Sequence, residues 1–270
     1  MGLGRHVWGA RTRIVGGDRV VTRHQVQEIG LSGALSRRGR ARLDALLVRE
    51  LIAGPARLAR VRVGDALVEI GGGDDFPVDW KAFAEVFADR PYEGPFDGAS
   101  VLDVGAHKGY FGAFALAAGA AVVASFEPAK RNFSALERAA APFGERWRTR
   151  RCALGQASRS TTLFLDETSW AHSLVAVKRP AGEERVDVIG LEDALAELPA
   201  GERTIVKIDA EGSECDILAH PGPLERIDAL MVEWHPALAP SAIDELIRTV
   251  ESGGLGLVTH SGGVMRFARN

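Results

Sequence analysis

Four acids and a histidine in the C-terminal half have the residue types and spacing for proton chemistry. Asp209, Glu211 and Glu214 fall within Lys207-Ile-Asp209-Ala-Glu211-Gly-Ser-Glu214, and Glu233 and His235 within Glu233-Trp-His235-Pro236. Each group ends an apolar run of strand character, Ile205 to Asp209 and Ile227 to Glu233, so both are expected at the carboxyl ends of parallel strands. An imidazole with an ordinary pKa near ~6.5 accepts a proton at neutral pH. His235 is therefore the first candidate for a base, with Asp209 and Glu211 as the other catalytic candidates. Two further readings stay open. Asp209, Glu211, Glu214 and Glu233 could gather a divalent cation, since oxygen ligands suit Mg²⁺, or Asp209 and Glu211 could hydrogen-bond the reactants directly. No metal ligand is assigned. Glu214 and Asp216 also lie in the first turn of a short helix, Ser213 to Ala219, where the macrodipole favours acids that have no role in catalysis. Lys207 alternates onto the strand face of Asp209 and is expected to be a buried counter-ion, because a lysine in a core strand is seldom unpaired.

A second constellation lies upstream, in Val101-Leu-Asp103-Val-Gly105-Ala-His107-Lys-Gly109-Tyr110-Phe111 and, one helix and one strand later, Ser125-Phe-Glu127-Pro128. An apolar run, Ser100 to Val104, gives way to glycine; a helical stretch, Tyr110 to Ala118, stops at Gly119; a second apolar strand, Ala120 to Phe126, ends in an acid. This is the order of a nucleotide-binding βαβ unit, with Glu127 where a ribose diol sits. A dinucleotide turn reads G-x-G-x-x-G, so that pyrophosphate can settle on a helix N-terminus. Here the turn reads D-x-G-x-x-x-G, and an acid ahead of the first glycine repels pyrophosphate. It suits a sulfonium and an ammonium group, which favours S-adenosylmethionine over NAD. The expected contacts are Asp103, Gly105, His107 and Gly109 along the turn, Tyr110 opening the helix beneath the methionine part, and Glu127 accepting both ribose hydroxyls. Pro128 and Ala153 are expected at the adenine. A structural turn without ligand is the alternative.

These segments together, Asp103-Val-Gly-Ala-His-Lys-Gly-Tyr-Phe, Phe126-Glu-Pro128, Asn132 and Val206-Lys-Ile-Asp209-Ala-Glu211-Gly-Ser-Glu214, resemble the FkbM family of S-adenosylmethionine-dependent methyltransferases. The last block is the narrower signal. The resemblance runs from roughly Asp79 to the C-terminus and takes in the Phe83-to-Tyr92 lead-in and the Ala153-Leu154-Gly155 turn. His107 departs from it, an asparagine being commoner there, while Asn132 matches the family's asparagine four residues beyond the proline. The resemblance implies a cofactor site that includes Asn132. It also implies an O-methyltransferase acting on a hydroxyl of a small molecule, natural product or glycan. An N-methyltransferase, an NAD-dependent oxidoreductase and a non-catalytic cofactor-binding module are the rivals.

The elements that must position these groups are legible at lower resolution. Helices are expected over Lys130 to Ala140 and Ser241 to Glu251, a third strand over Trp147 to Leu154, and a short β insertion over Thr161 to Leu165. Gly256 to Thr259 and Val264 to Phe267 read as a terminal hairpin around Ser261-Gly-Gly263. The fold class is then α/β: a doubly wound, Rossmann-like, seven-stranded methyltransferase sheet with a C-terminal antiparallel hairpin and an N-terminal, mainly helical extension. The expected division is an extension over 1–78 and a catalytic domain over 79–270. The extension is arginine-rich and carries an amphipathic helix, Ala41 to Ala53, then alternation at Val61, Val63, Ala66, Val68 and Ile70 that suggests a strand or hairpin. Its arginines admit an anionic acceptor; nucleic acid is disfavoured because aromatic residues are not interleaved with them. Trp170 and His172, in the loop Thr168 to Ser173, are expected to wall the acceptor site.

Composition adds bounds. A net charge of −3 marks no polyanion binder, and neither an 18-residue apolar run nor an apolar signal segment is present. A cytoplasmic protein is expected, without a membrane partner and with a homodimer left open. Cys152 and Cys215 fall in core elements and read as small apolar side chains rather than a disulfide.

Overall fold

The computed structural model describes residues 12–13, 20–21, 59–71, 75–89, 92–169, 171–176, 179–199, 203–236, 242–261 and 263–269. The expected helix Ala41 to Ala53, most of the N-terminal arginines and Trp170 lie outside these residues. Apart from a two-residue pair, Thr12–Arg13 with Val20–Val21, the described residues begin with β1 (Ala59–Val63), β2 (Ala66–Ile70) and α1 (Phe76–Ala84). The α/β series follows: β3 (Ser100–Val104), α2 (Tyr110–Ala117), β4 (Val122–Phe126), α3 (Lys130–Ala140) and β5 (Trp147–Arg150). After it come β6 (Ala153–Gly155), β7 (Arg159–Leu165), β8 (Gly182–Gly190), α4 (Leu191–Ala196), β9 (Thr204–Ile208) and α5 (Glu214–Ile217). The chain closes with β10 (Ala229–Glu233), α6 (Ile243–Ser252), β11 (Leu255–Ser261) and β12 (Val264–Arg269).

Seven strands form one sheet in the order β11-β12-β10-β9-β3-β4-β5, in which β12 alone runs against the others, antiparallel to both β10 and β11. This is the expected doubly wound sheet with its antiparallel hairpin. Every residue of β3 and β4 is buried, as strands covered on both faces must be. Alternation sorts their side chains: Val101, Val123 and Ile205 join the core under α1, α2 and α3, whereas Leu102, Ala124 and Val206 join the core under α4 and α6. The chain winds from β3 outward through β4 and β5, and returns to lay β9 on the other side of β3. The gap between the carboxyl ends of β3 and β9 is thus the topological switch point, where open α/β sheets hold ligands.

Three expectations need correction. The third strand does not run from Trp147 to Leu154; it stops at Arg150, and β6 joins a separate three-stranded sheet in the order β6-β8-β7. The expected β insertion is longer, and its nine-residue partner β8 lacks a clear apolar alternation because six of its residues, Gly182, Glu183, Glu184, Arg185, Asp187 and Gly190, are polar or glycine. The 78/79 boundary falls inside α1. The β1–β2 hairpin buries Val61, Val63, Val68 and Ile70 in the same core as Phe83, Phe87, Phe111 and Phe114. Helix α2 explains this, since it is apolar all round and has to be covered on the side away from the sheet. Aromatic edges lock the contact, Phe87 on Phe114 and Phe83 on Tyr110 with ring centres 5.7 and 5.6 Å apart, pairs of a kind that add about 0.5–1.5 kcal/mol each beyond burial.

Candidate active site

A cavity of about 360 Å³ opens at the switch point. Its floor is the turn after β3. Gly105 sits there at φ 71°, and a Cβ added to it would lie 1.8 Å from the Asp209 carbonyl oxygen, so glycine is required by the approach of the β9 end. Among the described residues, the non-glycine positions with positive φ are His107 (51°) and Glu211 (48°), and both line the cavity. Such conformations cost of order 1–3 kcal/mol and cluster at ligand sites.

Glu127, the residue after β4, lines the cavity and is 5% exposed. Its Oε2 accepts the His107 N–H at 2.8 Å and its Oε1 the Ala129 N–H at 2.9 Å. Each oxygen keeps a lone pair, which is what a vicinal diol needs. Burial pushes this carboxyl up to about 7 against the two backbone hydrogen bonds, so the free site holds its charge at a cost that two hydroxyl donors would relieve. This pair of acceptor oxygens fits the ribose of an adenosyl cofactor. Gly105, His107, Pro128, Asn132 and Ala153 also line the cavity.

The other end of the cavity is acidic. Asp209, Glu211, Glu233 and His235 line it, and Glu214 lies behind, 1% exposed. Glu214 Oε1 accepts the N–H groups of Ala210 and Gly212, at 3.3 and 3.2 Å, and holds His235 Nδ1 at 2.8 Å. His235 Nε2 then stands 3.4 Å from Glu211 Oε2 and 3.8 Å from Asp209 Oδ1. Burial alone would pull this imidazole down, but the Glu214 hydrogen bond and the Glu211 and Asp209 carboxylates carry it up to about 9. The three acids around it therefore favour the protonated form of His235 over the free imidazole expected at neutral pH. Burial and the neighbouring Asp209 push Glu211 up to about 8 and Glu233 up to about 7. Glu233 also accepts a hydrogen bond from the Tyr92 hydroxyl.

Lys207 is the buried counter-ion that its strand position suggests. Its Nζ is 3.3 Å from Asp209 Oδ2 and 3.6 Å from Asp103 Oδ1, and it donates to the Gly105 carbonyl at 2.8 Å. Asp103, expected to touch the cofactor, is a correction: it is 0% exposed, does not line the cavity, and pairs with Lys207 and with the Ser125 hydroxyl at 3.1 Å. Gly109 also stands off the cavity, capping α2 where an added Cβ would press on Leu136 and Trp147. Tyr110 reaches the cavity wall, but its hydroxyl donates to the Glu69 carbonyl at 2.5 Å and so fastens the β1–β2 hairpin.

A cation could be approached by one atom each of Asp209, Glu233 and His235, all within 4.8 Å of one another. Asp209 is already paired with Lys207 and Glu233 with Tyr92, while Glu214 holds only Nδ1 of His235. No metal ligand is assigned to them.

Two groups of residues escaped the sequence. Asp79, fully buried in α1, receives Lys108 Nζ and the Gly71 N–H, both at 2.5 Å. Ser169 and Ser173 bind the loop before β8 to the site, Ser169 through Asp79 and Ser173 through the Glu211 carbonyl, at 3.1 and 2.6 Å. Neither group has a spacing code, because the side-chain partners Lys108 and Ser169 lie 29 and 90 residues from Asp79 and Ser173 lies 38 from Glu211. His172 lines the cavity as expected of that loop.

The sequence model of the Methyltransferase FkbM domain matches residues 103–254. No curated protein matches the chain. Among solved structures, the methyltransferase FkbM from Methylobacillus flagellatus KT is 14% identical with a TM-score of 0.46, over 90% of this chain and 59% of that one. The chain thus spans about three-fifths of that protein's length. The SAM-dependent methyltransferase from Agrobacterium tumefaciens is 10% identical with a TM-score of 0.40, over 80% of this chain and 71% of that one. The family match covers more than half of the chain and contains both the Gly105 turn and the Asp209 block; the chain belongs to the FkbM methyltransferase family.

Proposed function

We propose that the protein is an S-adenosylmethionine-dependent O-methyltransferase acting on a hydroxyl of a small molecule, natural product or glycan. The observation that carries this reading is the meeting, in one cavity, of a buried carboxylate with a lone pair to spare on each oxygen, Glu127, and the His235–Glu211 pair, whose Nε2 and Oε2 stand 3.4 Å apart. When bound, S-adenosylmethionine supplies an electrophilic methyl carbon on an excellent leaving group. The protein has then to hold the acceptor in line and exclude water, a contribution of ~7–11 kcal/mol in favourable cases. The acceptor hydroxyl must also lose its proton. The His235–Glu211 pair takes it in the fraction of molecules whose Nε2 is bare, a fraction that grows with pH.

The lining around Asp209, Glu211 and Glu233 fits a neutral or cationic acceptor better than an anionic one. The same surplus of acids supports N-methylation of an amine as the second reading. The test has two steps. S-adenosylhomocysteine should raise the melting temperature while NAD leaves it unchanged. Extracts supplied with methyl-labelled cofactor should then yield a labelled ether; a labelled amine would establish the second reading, and stabilisation by NAD alone would end both.

A further inference from the structure

Two cavity-lining residues carry a buried acceptor atom without a partner among the described residues, His107 Nδ1 and Asn132 Oδ1. Both turn their donors to the same residue. Asn132 Nδ2 donates to the Ser169 carbonyl at 2.6 Å, and His107 Nε2 stands 3.1 Å from Ser169 Oγ. Ser169 itself is 4% exposed, and its hydroxyl donates to Asp79 Oδ1 at 3.1 Å.

The proton order along this chain is determined. Asp79, ion-paired with Lys108, accepts only, so the single proton of the Ser169 hydroxyl points at it. Ser169 Oγ must then accept from His107, which places the imidazole proton on Nε2 and leaves Nδ1 bare. Burial and the Lys108 ammonium pull His107 down to about 3, so the ring is neutral. A family asparagine would offer an amide at this place; the histidine offers a lone pair whose direction is set by a serine on another loop.

We propose that Ser169 is a positioning residue: anchored on Asp79, it orients His107 Nδ1 and Asn132 Oδ1 as paired acceptors for hydrogen-bond donors of the adenosyl group. The inference rests on the cofactor reading above and extends it to a residue outside the family's motifs. Together with the Glu127 carboxylate, the two atoms make this end of the cavity a set of acceptors, matched to a ligand part that donates through hydroxyl or amino groups.

The test is nitrogen NMR on protein labelled at histidine, titrated with S-adenosylhomocysteine. In the free protein His107 should show a protonated Nε2 and a bare Nδ1, and saturation should move Nδ1 upfield as an acceptor that has gained a hydrogen bond. Ser169→Ala should average the two nitrogen signals and weaken S-adenosylhomocysteine about tenfold, while His107→Asn, which keeps an acceptor, stays within about threefold of wild type. His107→Phe serves as a second variant, with a loss similar to Ser169→Ala. A protonated Nδ1, or an unmoved Nδ1 at saturation, overturns the proposal and leaves the cofactor reading intact. Absence of any S-adenosylhomocysteine binding to the wild type overturns both.

Discussion

Cofactor affinity should rise with pH across neutrality, and Glu127 should be the cause. Burial raises its carboxyl to about 7 in the free protein. Hydroxyl donors from a ribose favour the ionised form, so binding selects the fraction that carries the charge. That fraction is about one-tenth at pH 6 and about nine-tenths at pH 8, which makes the apparent Kd roughly tenfold weaker at the lower pH. Above pH 8 the curve should level. Stability of the free protein runs the other way. The folded carboxyl holds a proton that the unfolded chain has lost, so this contribution is complete below about 4.5 and disappears as pH rises through about 7. Glu127→Gln removes charge-assisted hydrogen bonds worth roughly 1.5–3 kcal/mol, which is about a 10–100-fold loss of affinity. Because Glu211 and Glu233 titrate in the same cavity, the measured quantity is the difference between wild type and variant in calorimetric titrations with S-adenosylhomocysteine at pH 6, 7 and 8. A slope that persists undiminished in a folded Glu127→Gln protein would refute the assignment, as would unchanged affinity.

Other outcomes follow from the same geometry. His235→Ala should lower kcat by about 10²-fold with cofactor affinity kept, and the wild-type rate should climb as pH rises toward about 9; a flat profile would show that the acceptor needs no base. Lys207→Met leaves Asp103 buried without its cation and should cost about 3–5 kcal/mol in denaturant titrations, a mutant of wild-type stability being the contrary result. Gly105→Ala drives a Cβ into the Asp209 carbonyl at a left-handed φ, so soluble protein with an unchanged melting temperature would contradict the close approach of β3 and β9. Turnover should survive excess EDTA, because Lys207 is paired with Asp209 and Tyr92 with Glu233; abolished turnover with retained cofactor binding would restore the metal reading.

The fold was legible wherever a segment is buried on both faces or amphipathic over several turns. Strands β3, β4, β9 and β10 are short apolar runs between glycines and acids, and helices α3 and α6 are periodic, so local pattern and tertiary role agree. Strand β8 failed that test because its first four residues, Gly182 to Arg185, put no apolar side chain on either face. In the site, Glu127 and the Asp209 block were readable because strand ends at a switch point have a fixed address. The role of Asp103 was misread. Its acid type suggested a partner for a cation, and the cation proved to be Lys207, from a strand 104 positions later, rather than a ligand. The pKa of His235 was beyond reach for the same reason, since it depends on Glu214 arriving behind it through the fold.

The placement of β12 bears on how this protein can be divided or transplanted. The strand lies between β10 and β11, and both are antiparallel to it, so the last segment of the described chain is an interior plank of the sheet rather than an edge. The segment that matches the family, 103–254, omits both hairpin strands and starts within β3. Cut to that span, β10 would present an unpaired apolar edge, a template for aggregation. The motifs that mark the family are therefore not a module. Anyone grafting this activity onto another protein would have to carry the stretch from the first hairpin to the final strand as one indivisible part.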